Sequence, residues 1–122
     1  MKVLQINAVY EYSSTGRNVK ESNEYMLKKG IESYVAAPKL YGLRGNSYKI
    51  GNKLDMKVHA LLSRLMGLQG YFSVISTKKL IKYIETLNPD IIHLHNFHGN
   101  YINIGMLLRY ISTHDIATVI TL

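Results

Sequence analysis

The feature that most limits what this chain can fold into is the order of its apolar runs. Lys2 to Ala8, "KVLQINA", is a short apolar stretch closed by a polar loop. Ser33 to Pro38, "SYVAAP", is a second, stopped by a proline. Between them, from about Asn18 to Lys29, the pattern is helical, with Val19, Met26 and Leu27 on one side and Gly30 placed to end it. Strand, helix, strand is a βαβ unit, because parallel strands need a crossover, and that crossover is nearly always right-handed. The alternation continues. Asp55 opens a second helical pattern as N-cap, with Val58, Leu61, Leu62 and Leu65 on one apolar face and Gly67 as its stop. A third helix from about Ser76 to Leu87 turns Leu80, Ile81, Ile84 and Leu87 inward and Lys78, Lys79 and Lys82 outward. "NPDIIHLH" is the third strand. A helix from about Ile102 to Thr113 then buries Leu107, Leu108 and Ile111, and "ATVITL" is the fourth strand. The Gly-rich, basic stretch from Lys39 to Lys53 reads as a loop. The expected fold class is α/β, a Rossmann-like parallel sheet with flanking helices. The 122 residues are expected to form one domain, residues 1–122, with one core. The fourth strand runs to Leu122, at the sheet edge where open α/β folds bind ligands, so the domain is expected to be truncated at its C-terminus.

Composition narrows the function classes. Apolar residues make up 47% of the chain, enough for a packed core. There is no cysteine, which removes disulfide frameworks, thiolate zinc sites and cysteine nucleophiles. "MKVLQINAVY" lacks the long apolar stretch of a secretory signal, and no run approaches the ~20 apolar residues of a membrane span. The expected location is cytoplasmic. The formal charge is +7. Between Lys39 and Arg64 there are six Lys/Arg and a single acid, Asp55. That concentration fits either an anionic partner or a solvated basic face.

Two stretches carry candidate chemistry. "SSTGR" lies between the first strand and the first helix, where backbone N–H groups and a helix N-terminus can hold a diphosphate. Gly16 would let a phosphate approach the backbone and Arg17 would add charge. The simpler reading is that Ser14 or Thr15 caps the helix. The stretch is neither GxGxxG nor a Walker A loop. "DIIHLHNFHGN" places His93, His95 and His98 within six residues. Strand alternation puts His93 and His95 on one face. Zinc would need a further converging ligand, and Asp90 stands at the wrong end of the strand. His93 is expected to be packed. His95, at the carboxyl end of the strand, is expected at the rim of a cleft with Asn96 and His98, groups suited to hydroxyl-rich ligands. No metal or other cofactor is expected.

These same stretches carry a resemblance. "KVLQINAVYEYSSTGR" and "LNPDIIHLHNFHGNYINI" resemble the N-terminal domain of bacterial retaining glycosyltransferases of family 4, of the colanic-acid or exopolysaccharide type, and "YKIGNKLDMKVHALLSRLMGLQGYFS" is similar to the same group. The resemblance implies a GT-B architecture, two Rossmann-like domains facing a cleft, of which this chain is the acceptor-side half. It implies that Thr15, Gly16 and Arg17 lie near the donor diphosphate, and His95, Asn96 and His98 near the sugar or acceptor. The partners it implies are a UDP- or GDP-sugar donor and a glycan or lipid-linked acceptor. The full enzyme would transfer a hexose with retention and without a catalytic metal, while this fragment alone would be inactive. The His-Asp pair that such enzymes carry after the last strand seen here is not in the sequence. Ile31, where many members have His, and Gly105, early in a helix, depart from the family pattern. A lipid-linked acceptor would bring the segment from Lys39 to Arg64 to an anionic membrane on the inner face of the plasma membrane. An exposed sheet edge would allow a homodimer. The competing class is a stand-alone α/β module for nucleotides or nucleic acid. The loops lack the basic–aromatic interleaving of a nucleic-acid face, so no nucleic acid is expected as partner.

Overall fold

A computed structural model of the chain describes residues 1–11, 13–40, 45–51, 74–95 and 101–121, together with Lys57, Leu61, Arg64 and Leu65. The described elements run β1 (Lys2–Ile6), β2 (Val9–Tyr10), α1 (Ser13–Lys28), β3 (Glu32–Ala37), β4 (Lys39–Leu40), β5 (Ser47–Lys49), α2 (Val74–Leu87), β6 (Ile91–His95), α3 (Ile104–Thr113) and β7 (Ala117–Thr121). The main sheet has five strands, all parallel, in the order β5-β3-β1-β6-β7, and β2 pairs with β4 in a small second sheet. The fold is therefore α/β and Rossmann-like, as the alternation of apolar runs implied.

Strand register divides the residues between two faces. Leu4 stands beside Tyr34 and Ile92, and Ile6 beside Ala36 and Leu94. These side chains meet Leu80 and Ile84 of α2 and Leu107 and Ile111 of α3 in the main core. On the opposite face Gln5 stands beside Val35 and His93. There α1 supplies Val19 against Val35, and Asn23 Oδ1 accepts a 2.6 Å hydrogen bond from Ser33 Oγ. Right-handed crossovers explain the division. The chain leaves β1 toward β3 over one face, and leaves β6 toward β7, in the opposite direction, over the other. Neighbouring strands β1 and β6 thus form the point where the winding reverses.

Local chemistry accounts for the helix ends. Gly30 has φ +77°, its N–H bonds Leu27 O, and Ile31 N–H bonds Met26 O. This is a Schellman closure that only a residue at ease in the left-handed region makes cheaply. Asn103 caps α3, its side chain accepting from Met106 N–H at 3.1 Å.

Several expectations change. α1 begins at Ser13, five residues before Asn18, so "STGR" forms its first turn instead of a loop before it. Gly16 is buried there and follows Val19 and Asn23 on one stripe, so packing overrides the weak helix propensity of Ser, Thr and Gly. Leu27, expected on the same side as Val19, and Leu108, expected to be buried, are exposed; Leu27 lies in the last turn of α1, beyond the buried Gly16, Val19 and Asn23, and Leu108 lies beside the buried Leu107 and Ile111. Between Lys39 and Lys53, read as loop, the chain adds β4 and β5. Of the helix expected from Asp55, the cap Asp55, Val58, Leu62 and the stop Gly67 lie outside the described residues. Leu61 and Leu65 are helical but exposed, so they do not form the inward face their spacing implied.

Candidate functional site

The carboxyl ends of β1 and β6 lie side by side at the winding reversal, the place where open α/β sheets leave a crevice for ligands. Each strand places a polar side chain on the face shared with α1. Gln5 comes from β1 and is fully buried, and His95, the last residue of β6, is 7% exposed. His95 Nε2 lies 2.9 Å from Gln5 Oε1. His93, two residues earlier on the same face, stacks on His95 with ring centroids 3.7 Å apart, and its Nε2 lies 2.7 Å from Thr121 Oγ1 of β7. A polar track thus crosses three strands: Gln5, His95, His93, Thr121.

The alternation argument placed the two histidines on one face, and they are. Their depths are reversed. His95, expected at the rim, is the buried one, and His93, expected to be packed, is half-buried. The reason is lateral. His95 leans toward β1, which α1 roofs, whereas His93 leans toward β7, whose residues are mostly exposed. Asn96 and His98 lie outside the described residues.

Burial sets the electrostatics. Desolvation, followed by the neighbouring His93, pushes the His95 imidazole from its ordinary 6.5 down to about 4. Burial alone lowers His93. Both rings are therefore neutral hydrogen-bonding groups near pH 7 and not cations. Their Nε2 atoms point to opposite neighbours, β7 and β1, so those two nitrogens do not converge on one ion. Among the described residues no group of three metal-ligating side chains comes together.

The second part of the site is the start of α1, seven residues beyond the end of β1 in the chain. Ser13 and Thr15 hydroxyls lie 3.2 Å apart, and Ser13 Oγ, not that of Ser14 or Thr15, accepts from Gly16 N–H at 3.5 Å. Glu11 and Ser13 both have positive φ, 69° and 67°, so the turn into the helix uses the left-handed region twice without glycine. Arg17 is exposed and shares a surface groove with Glu11, Lys20, Glu21 and Glu24. Lys20 is paired with Glu11 at 2.8 Å. Three carboxylates against two cations do not make that groove a selective anion site.

Gln5 is the residue that sequence reading passed over. A signal was available, since Gln5 is an amide set among Val3, Leu4 and Ile6 and shares the parity of Val3. Among the described residues no helix is long and apolar enough to cross a membrane. Compared with protein-family models, with curated proteins and with solved structures, the chain matches none.

Proposed function

We propose that the chain is the acceptor-side, Rossmann-like domain of a retaining GT-B glycosyltransferase of exopolysaccharide or capsule assembly, contributing acceptor binding and part of the nucleotide-sugar cleft. The observation that carries the proposal is the placement of a neutral, hydrogen-bonded Gln5–His95 pair between β1 and β6, where the winding reverses. Uncharged donors and acceptors at a crevice suit hydroxyl-rich ligands, whose recognition needs hydrogen bonds more than net charge. In such an enzyme the full protein transfers the hexose, and this chain positions the acceptor. The motif resemblance and the switch-point geometry support this reading independently of each other.

The test is a nuclear magnetic resonance titration of the chain with methyl glucoside, an oligosaccharide, UDP-glucose, GDP-mannose and a single-stranded oligonucleotide. Sugar-containing ligands should shift resonances of Gln5, His95 and the first turn of α1. If the sugars leave these positions unmoved while the oligonucleotide shifts a basic surface, the nucleic-acid module is the correct class.

A further inference from the structure

The Gln5–His95 hydrogen bond has a direction. The atom of Gln5 facing the imidazole is Oε1, and a carbonyl oxygen only accepts. His95 must then donate from Nε2. A neutral imidazole has one ring proton, so with Nε2 protonated its Nδ1 is an acceptor. Nδ1 makes no hydrogen bond among the described residues. His95 is the last residue of β6 and keeps 7% of its surface open to solvent. Gln5 Nε2, by contrast, is enclosed and has no partner among the described residues. The Gln5 amide thus spends its oxygen on His95 and leaves its own donor unsatisfied, an arrangement that costs stability.

We propose that Gln5 is a positioning residue that holds His95 in the Nε2–H tautomer, so that Nδ1 accepts a hydrogen bond from a ligand hydroxyl at the β1–β6 crevice. This rests on the reading of that crevice as a carbohydrate site, and it narrows that reading. A lone pair takes a hydrogen-bond donor. A sugar hydroxyl supplies one, and the diesterified diphosphate of a nucleotide sugar, fully ionised near neutral pH, offers only acceptor oxygens. His95 therefore belongs to the sugar side of the cleft and not to the phosphate side. Burial and the neighbouring His93 both disfavour a charged His95, so these surroundings do not favour the imidazolium that a phosphate would prefer. Gln5 acts through His95 and need not touch the ligand.

Long-range proton–nitrogen correlation of the histidine side chains in the whole chain near pH 7 tests this directly. Wild type should show His95 protonated on Nε2. Gln5→Leu, which removes the acceptor at similar volume, should convert the signal to a mixture of tautomers. Gln5→Glu, which keeps an acceptor oxygen, should restore Nε2–H and, by adding a negative charge, raise the His95 midpoint. Methyl glucoside should then move the Nδ1 resonance in wild type, and symmetrical dimethyl diphosphate, which has no hydroxyl to donate, should not. His95 protonated on Nδ1 in wild type, or a tautomer indifferent to Gln5→Leu, overturns the positioning role and leaves the carbohydrate reading standing. An Nε2–H tautomer with no response of Nδ1 to the glycoside, or with a response to dimethyl diphosphate, overturns the hydroxyl assignment. Should Gln5→Leu fail to fold, the Gln5→Glu spectrum and the wild-type tautomer decide the matter alone.

Discussion

Acidification should destabilise this chain through one histidine. His95 is held at about 4 in the folded state against an ordinary 6.5. Between those values the unfolded chain binds a proton that the folded chain refuses, so stability falls as pH drops through 6.5 and the loss is complete below 4. At about 1.36 kcal/mol per pH unit the full interval sets a ceiling of about 3.4 kcal/mol. Screening reduces it, since the stacked partner His93 is only half-buried and the β7 side is open. A weight of about one half leaves ~1.5 kcal/mol. The perturbation is His95→Gln, which keeps a donor toward Gln5 and cannot titrate. Urea unfolding of wild type and variant at pH 7.5 and pH 4.5 isolates the residue, because the carboxylates and other histidines cancel in the difference. Wild type should lose about 1.5 kcal/mol more than the variant on going to the lower pH. Resonance titration should place the His95 midpoint well below the ordinary 6.5. Parallel pH profiles for the two proteins, or a His95 midpoint near 6.5, would refute the argument that burial governs this ring.

Three further outcomes follow from the packing. Asn103→Ala should cost about 1 kcal/mol in urea unfolding, because the side chain caps α3 through Met106 N–H, and Asn103→Asp should cost less. Asn23→Ala should cost ~1–3 kcal/mol, since it strips the partner from buried Ser33 and from the Tyr10 hydroxyl, and a thermodynamic cycle with Ser33→Ala should show the pair losing less than the sum of its singles. At Gly30 an added Cβ meets nothing within 4 Å, so Gly30→Ala should lower stability by the backbone penalty alone, roughly 1–2 kcal/mol, with Gly30→Asn milder in the same thermal-melting assay.

The sheet was legible because four of its five strands are written as apolar runs between turn signals. The Gly30 stop was legible for the same kind of reason, a single residue type suited to a single backbone region. What sequence could not supply was anything decided by a neighbouring strand. β2 and β4 are two residues each and β5 three, too short for a periodicity, and they exist because β3 and α1 bring them together. The depth of His95 depended on a contact 90 positions away, with Gln5, which strand alternation does not encode. The start of α1 was misplaced because Ser13 to Gly16 are poor helix formers whose helical state is secured by the burial of Gly16. For the site, the pattern "HLH" indicated a shared face correctly and depth incorrectly. It gave no hint of the amide that orients the second ring.

The energetics of the polar track bear on why it is there. Gln5 sits between Leu4 and Ile6, both fully buried, in a strand flanked on either side by other strands. An apolar side chain would fit that position without a desolvation penalty. The amide instead makes a side-chain hydrogen bond to His95 and leaves Nε2 enclosed without a partner among the described residues. A net neutral hydrogen bond is worth about 1 kcal/mol, while an enclosed unpaired donor costs about 1–3 kcal/mol, so the pair does not add to stability. The imidazole is likewise driven to its neutral form by its surroundings and gains no ion pair. Local rules of core composition are broken at two positions at once, and those positions meet at the winding reversal between β1 and β6, where this architecture places its ligands. A polar pair that weakens the core at that point is better accounted for by the orientation it imposes on His95 Nδ1 than by the fold it helps to hold.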